Sequence, residues 1–99
     1  MTDLEKRDYL IRLFETYRNV LTSNQQQYFE SYYLFDMSLQ EIADNYDISR
    51  NAVYDQIKNT IKNLENYEEK LHLLKLKEIV LENEDKFDLE TKKEIENLL

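Results

Sequence analysis

Between Ser49 and Lys62 the chain carries Arg50, Asn51, Tyr54, Asp55, Lys58 and Lys62, a set of side chains suited to reading nucleic acid. If Val53 points inward and each residue steps about 100° around a helix, Asn51, Asp55, Lys58 and Lys62 share the opposite face, with Tyr54 and Arg50 on its flank. Asn can pair with an adenine edge, and Arg or Lys with guanine or phosphate. The N-terminal turns of such a helix are the part that reaches bases.

Other chemistry is poorly supplied. His72 is the only histidine, and a metal or general-base role needs convergent partners that nothing nearby provides. The acid pairs Glu68-Glu69 and Glu84-Asp85 point about 100° apart on a helix and read as solubility charges rather than a catalytic couple. Without Cys there is no thiolate, disulfide or zinc ribbon, and without Gly there is no phosphate-cradling loop. The expectation is a non-enzymatic protein with no cofactor and no metal.

The candidate face needs a scaffold, and Ser38 to Leu64 supplies one. Ser38 with Glu41 is a capping box, so a helix starts near Leu39, with Leu39, Ile42, Ala43 and Tyr46 on one apolar face. The pattern breaks at Asn45-Tyr46-Asp47, where short polar side chains support a turn. Ser49 then caps a second helix whose inner face is Ala52, Val53, Ile57, Thr60, Ile61 and Leu64. Ala43 gives the small side chain that two steeply crossing helices need, and Ile48 plugs the angle between them. This is a helix-turn-helix.

Upstream, Leu10, Leu13, Phe14, Tyr17, Val20 and Leu21 trace one stripe of a first helix. Thr22 with Gln25 repeats the capping box, opening an aromatic helix through Tyr28, Phe29, Tyr32 and Tyr33 that ends near Phe35-Asp36-Met37. These rings are expected to form core rather than a base-stacking platform. Downstream, Leu64, Tyr67, Leu71, Leu74 and Leu81 keep the three-and-four spacing, predicting that the second helix of the motif runs on as a long arm. A further set, Leu73, Leu76, Ile79 and Val80, lies off that seam and must be covered by the first helix or by the arm of a second chain in a dimer. Asp88 can cap a last helix with Leu89, Ile95, Leu98 and Leu99 apolar. The predicted fold is all-α, a helical bundle, with residues 1–66 as the helix-turn-helix domain and 67–99 as a helical arm and tail of the same unit.

The 99 residues contain no Gly, Pro, Cys or Trp, which disfavours all-β and doubly wound α/β folds. The net charge of −8 opposes unassisted binding to a polyanion. Yet Ser49–Leu64 holds Arg50, Lys58 and Lys62 against Asp55 alone, so the reader helix is locally positive. DNA binding is therefore expected to be weak per monomer and strengthened by dimerisation or a partner. The longest apolar tract, Leu71-His72-Leu73-Leu74, ends at Lys75, far short of the roughly 20 residues that cross a bilayer. A cytoplasmic protein with no membrane association is expected.

The order Leu21-Thr22, aromatic Tyr28 to Tyr33, Ser38-Leu39-x-Glu41-Ile42-Ala43 and Ile48-Ser49-x-x-Ala52-Val53 resembles the helix-turn-helix of region 4 in bacterial sigma factors. The run Ser49 to Lys58, followed by Leu64-Glu65-x-Tyr67-Glu68-x-Lys70-Leu71-His72, is similar to the YlxM family of small bacterial proteins, across roughly Tyr9 to Leu74. That resemblance implies a regulatory protein encoded beside genes of the signal recognition particle. It would act on DNA or engage the particle's protein or RNA. Carried over, Ser49, Arg50, Asn51, Tyr54, Asp55 and Lys58 form the contact surface. Asp55 stands apart, since its carboxylate can accept from cytosine N4 but repels phosphate, fitting a base edge or a protein contact.

Overall fold

Five of the six α-helices start at a side-chain cap. In the computed structural model, which describes all 99 residues, Thr2 accepts from the Glu5 amide at the head of α1 (Asp3–Tyr17). Thr22 and Gln25 close a capping box at α2 (Ser23–Phe29). Ser38 and Glu41 do the same at α3 (Leu39–Tyr46). Ser49 accepts from the Ala52 amide at α4 (Arg50–Leu71). The helix α5 (Leu73–Glu82) has no side-chain cap of this local kind, whereas α6 (Leu89–Leu98) is capped by Asp88. There is no strand, so the all-α expectation holds, and each cap read from the sequence is present.

The helices enclose two apolar clusters joined by α4. Leu10, Leu13, Phe14 and Tyr17 of α1 meet Phe29, Leu64 and Leu74 in the first. Tyr28, Ile42, Ala43, Val53 and Ile57 form the second, beneath the helix-turn-helix. Phe14 and Phe29 stack with centroids 4.3 Å apart, and Tyr28 meets Tyr46 edge-on at 5.0 Å. The aromatic run is thus core at Tyr28 and Phe29, each burial contributing roughly 1.5–3 kcal/mol.

Past Phe29 the helix widens into a π turn, Glu30–Leu34, with the Phe35 amide donating to the Glu30 carbonyl. Asp36 then takes a left-handed conformation, φ 53°. Arg7 of α1 holds this end, donating to the Tyr33 carbonyl at 2.6 Å and to Asp36 Oδ1 at 2.8 Å.

The structure departs from expectation in two places. Val20, assigned to the first helix's apolar stripe, is 61% exposed. Residues 18–20 form a 3₁₀ turn, whose step near 120° swings Val20 off the stripe. More consequentially, α4 runs on past Leu64 only to Leu71. His72 adopts the left-handed region, φ 56° and ψ 28°, and α5 folds back along α1. Leu74 enters the first cluster and Glu78 pairs with Arg12, while Leu71 and Leu81 of the expected seam are exposed.

Glu68 causes the turn. Its Oε1 accepts from the Leu74 amide at 3.0 Å and from the Tyr17 hydroxyl at 2.6 Å, and its Oε2 accepts from the Lys75 amide at 3.1 Å. The Tyr17 oxygen accepts in turn from the Leu73 amide at 3.2 Å. A residue 51 positions from Tyr17 therefore satisfies the amides that begin α5. The molecule is elongated, 52 × 28 × 24 Å, with a radius of gyration of 16.2 Å against about 13 Å for a spherical chain of this length.

Candidate nucleic-acid interface

Three residues, Asp47-Ile48-Ser49, make the turn between α3 and α4. Asp47 closes α3 in the left-handed region, φ 54°, a position that Asp tolerates better than branched residues. The Ile48 amide donates to the Ala43 carbonyl at 3.1 Å, and Ile48 packs half-buried against the second cluster. Ala43, 1% exposed, lies within that cluster with Ile42 and Val53. A longer side chain there would push the two helices apart.

The local order fixes which side chains face outward. Val53, Ile57, Thr60 and Leu64 are buried, so the opposite face of α4 presents Asn51, Asp55, Lys58 and Lys62 to solvent, flanked by Arg50 and Tyr54. The Thr60 hydroxyl, fully buried, is satisfied by donating to the Gln56 carbonyl at 2.8 Å. By contrast Arg50, Asn51, Asp55, Lys58 and Lys62 take part in no ion pair. Tyr54 is 52% exposed, and Lys58 Nζ lies 6.0 Å from its ring centroid. Asp55, Lys58 and Lys62 line one shallow depression together with Asn59 and Glu65. Ser49 is spent on the cap, its hydroxyl accepting from Ala52. Its contribution is to aim the first turn of α4, whose free amides and positive dipole end also favour an anion.

Two features of this face are absent from the sequence reading. Beside the exposed row lies an apolar groove of about 230 Å³, lined by Tyr32 and Tyr33 of the π turn, Leu39, Tyr54, Ile57, Lys58 and Ile61. The π turn carries no sequence signature, so the groove could not be read in advance. Further along α4 the sign reverses, since Glu65 and Glu69 are exposed in phase with Lys58 and Lys62. That reversal was available from the helical period. Lys62 and Glu65 are only about 4.5 Å apart along the axis, so the positive field is confined to the span from Arg50 to Lys62.

The remaining titratable groups are structural. His72 is an exposed helix cap, and no group of three His, Cys, Asp or Glu side chains is arranged to hold a metal ion. Glu68 and Glu69 point apart, one into the α5 junction and one to solvent. Burial alone would raise the Glu68 carboxyl. The bonds from Tyr17, Leu74 and Lys75, with the nearby His72, outweigh burial and hold it below the usual range. Desolvation and the bond to Glu68 push the Tyr17 phenol up to about 12. No helix is long and apolar enough to cross a membrane.

The family described as "Putative helix-turn-helix protein, YlxM / p13 like" matches residues 4–98. The UPF0122 protein YofM of Lactococcus lactis subsp. lactis (strain IL1403) is 55% identical over 71 residues, 72% of this chain and 64% of the relative. The UPF0122 protein YlxM of Bacillus subtilis (strain 168) is 56% identical over 72 residues, 73% and 66% of the two chains. A UPF0122 protein of Bacillus cereus (strain AH187) is 47% identical over 92 residues, 82% and 84%. The chain thus spans just under two thirds of the first two relatives and most of the third.

Proposed function

This chain belongs to the YlxM/p13-like helix-turn-helix family, and on that premise we propose that it is a DNA-binding regulator in which α4 enters the major groove. The observation that carries the reading is the row of unpaired Arg50, Asn51, Lys58 and Lys62 on the outward face of a helix rigidly capped by Ser49. Asn51 and Arg50, on the first turn, are the base readers. Lys58 and Lys62 hold phosphate, and Asp55 selects cytosine through its exocyclic amine. Tyr54 packs beside Lys58 and fixes its reach.

Because Glu65 and Glu69 follow on the same face, only the first turns of α4 can approach the backbone. A single copy then makes few phosphate contacts, and two copies on two half-sites supply the rest. Lys58 and Lys62 are the phosphate contacts of each monomer, so replacing Arg50 and Lys58 by Ala should weaken binding, lower the log K versus log salt slope by about 1 per monomer through Lys58, and relax specificity at the base that Arg50 reads. Fluorescence anisotropy of a labelled fragment from the protein's own operon promoter measures this. An unchanged affinity and slope in the double variant would remove this face from consideration.

A second reading draws on the net charge of −8 and on Glu65 and Glu69. In it the domain is an adaptor whose acidic surface attracts a basic protein of the signal recognition particle, or whose helix-turn-helix meets its RNA. Co-purification of tagged protein with the targeting GTPase or its RNA tests it, and recovery of neither counts against it.

A further inference from the structure

We infer that α5 and α6 exchange between two copies of this chain, so that α5 of one copy packs on α1 of the other and the dimer is swapped about His72. His72 holds a left-handed conformation that glycine adopts freely and other residues adopt with strain. The flanking sequence, Glu68-Glu69-Lys70-Leu71-His72-Leu73-Leu74-Lys75-Leu76, is made almost wholly of strong helix formers. Locally, then, the chain favours a continuous helix, and the bend is imposed from outside.

The two forms satisfy the same donors. In the bent form the amides of Leu73, Leu74 and Lys75 donate to the Tyr17 hydroxyl and the two Glu68 oxygens. In a continuous α4–α5 helix those three amides reach the carbonyls of Glu69, Lys70 and Leu71 instead, while the His72 to Glu68 backbone bond already present is kept. Straightening therefore orphans no amide. It does uncover Leu74 and the α1 surface that Leu74 covers, and it separates Arg12 from Glu78. A second copy presents the identical α1 surface with its own Arg12, so the exchange restores those contacts one for one. A one-residue hinge under strain is the arrangement that invites such exchange. The dimer gives the two α4 helices a shared frame, and in that respect it deepens the dimeric reading above.

The chain has no cysteine, which makes the test direct. Arg12→Cys and Glu78→Cys single variants are mixed at several hundred micromolar, unfolded in urea, refolded together and treated with a short bis-maleimide. The exchange predicts a covalent heterodimer of twice 12.1 kDa. Its yield should fall about fivefold or more with His72→Gly, which relieves the bent form, and rise with His72→Val, which penalises it. Glu15→Cys with Lys77→Cys, across the groove between α1 and α5, repeats the test should the first pair fold poorly. Cross-links only within single chains of the double variant, with none between mixed singles, overturn the proposal. If light scattering still reports a dimer in that case, the exchange fails while the dimeric reading stands.

Discussion

Replacing Glu68 by Gln should loosen α5 from the rest of the molecule. The carboxylate accepts three hydrogen bonds, from the Tyr17 hydroxyl and the Leu74 and Lys75 amides. The carboxamide keeps one oxygen acceptor and turns an NH₂ toward the other partner, so at least one amide is left without its acceptor and the others lose charge assistance. Bonds to a charged group contribute about 1.5–3 kcal/mol each and neutral ones about 1. Partial exposure lets water recover some of the difference, which leaves a cost of about 2 kcal/mol. For a domain of this size that corresponds to a Tm lower by about 8–16 °C. Urea unfolding followed by circular dichroism measures it, and a double-mutant cycle with Tyr17→Phe should give a coupling of about 1 kcal/mol or more. A Glu68→Gln variant within 0.5 kcal/mol of the parent, with no coupling, would refute the view that this carboxylate holds the turn.

The same group sets a pH dependence. Its folded pKa is depressed, so its contribution is fully present above the unfolded carboxylate value, near 4.5, and is lost as pH falls through the folded value. Tm should drop more steeply below pH 4.5 in the parent than in Glu68→Gln. Ser49→Ala removes the α4 cap and should cost about 1 kcal/mol by urea titration, with little change in helix content. Ala43→Leu overfills the α3–α4 crossing and should cost about 1–3 kcal/mol while abolishing DNA binding by changing the angle of α4. A stable Ala43→Leu variant with parental affinity would contradict that geometry.

Local motifs made much of this fold legible. The capping boxes at Thr22 and Ser38 and the caps at Ser49 and Asp88 are written within four residues, and the 3.6 period fixed which face of α4 is buried once Val53 was taken as inward. The turn at His72 was not legible. Nothing there is Gly or Pro, and the Glu68 carboxylate that accepts from the Leu74 and Lys75 amides also binds the Tyr17 hydroxyl, 51 positions away in sequence. The groove holding Tyr32 and Tyr33 escaped for a related reason, since a π turn shifts the register by a residue without any marker in composition. Of the candidate face, the exposure of Arg50, Asn51, Asp55, Lys58 and Lys62 followed from periodicity alone. The acids that bound it at Glu65 and Glu69 were equally readable, but they lie beyond the turns that a groove can admit.

The proposed contact is between DNA and the outward residues of α4 from Arg50 to Lys62. Titrating ¹⁵N-labelled protein with a duplex from its operon promoter and following amide shifts tests it most directly. Binding by this face should give saturable, salt-sensitive shifts concentrated between Ser49 and Lys62, with α6 unperturbed. Saturable shifts elsewhere that leave Ser49–Lys62 unmoved, or no shifts even at low salt, would contradict it.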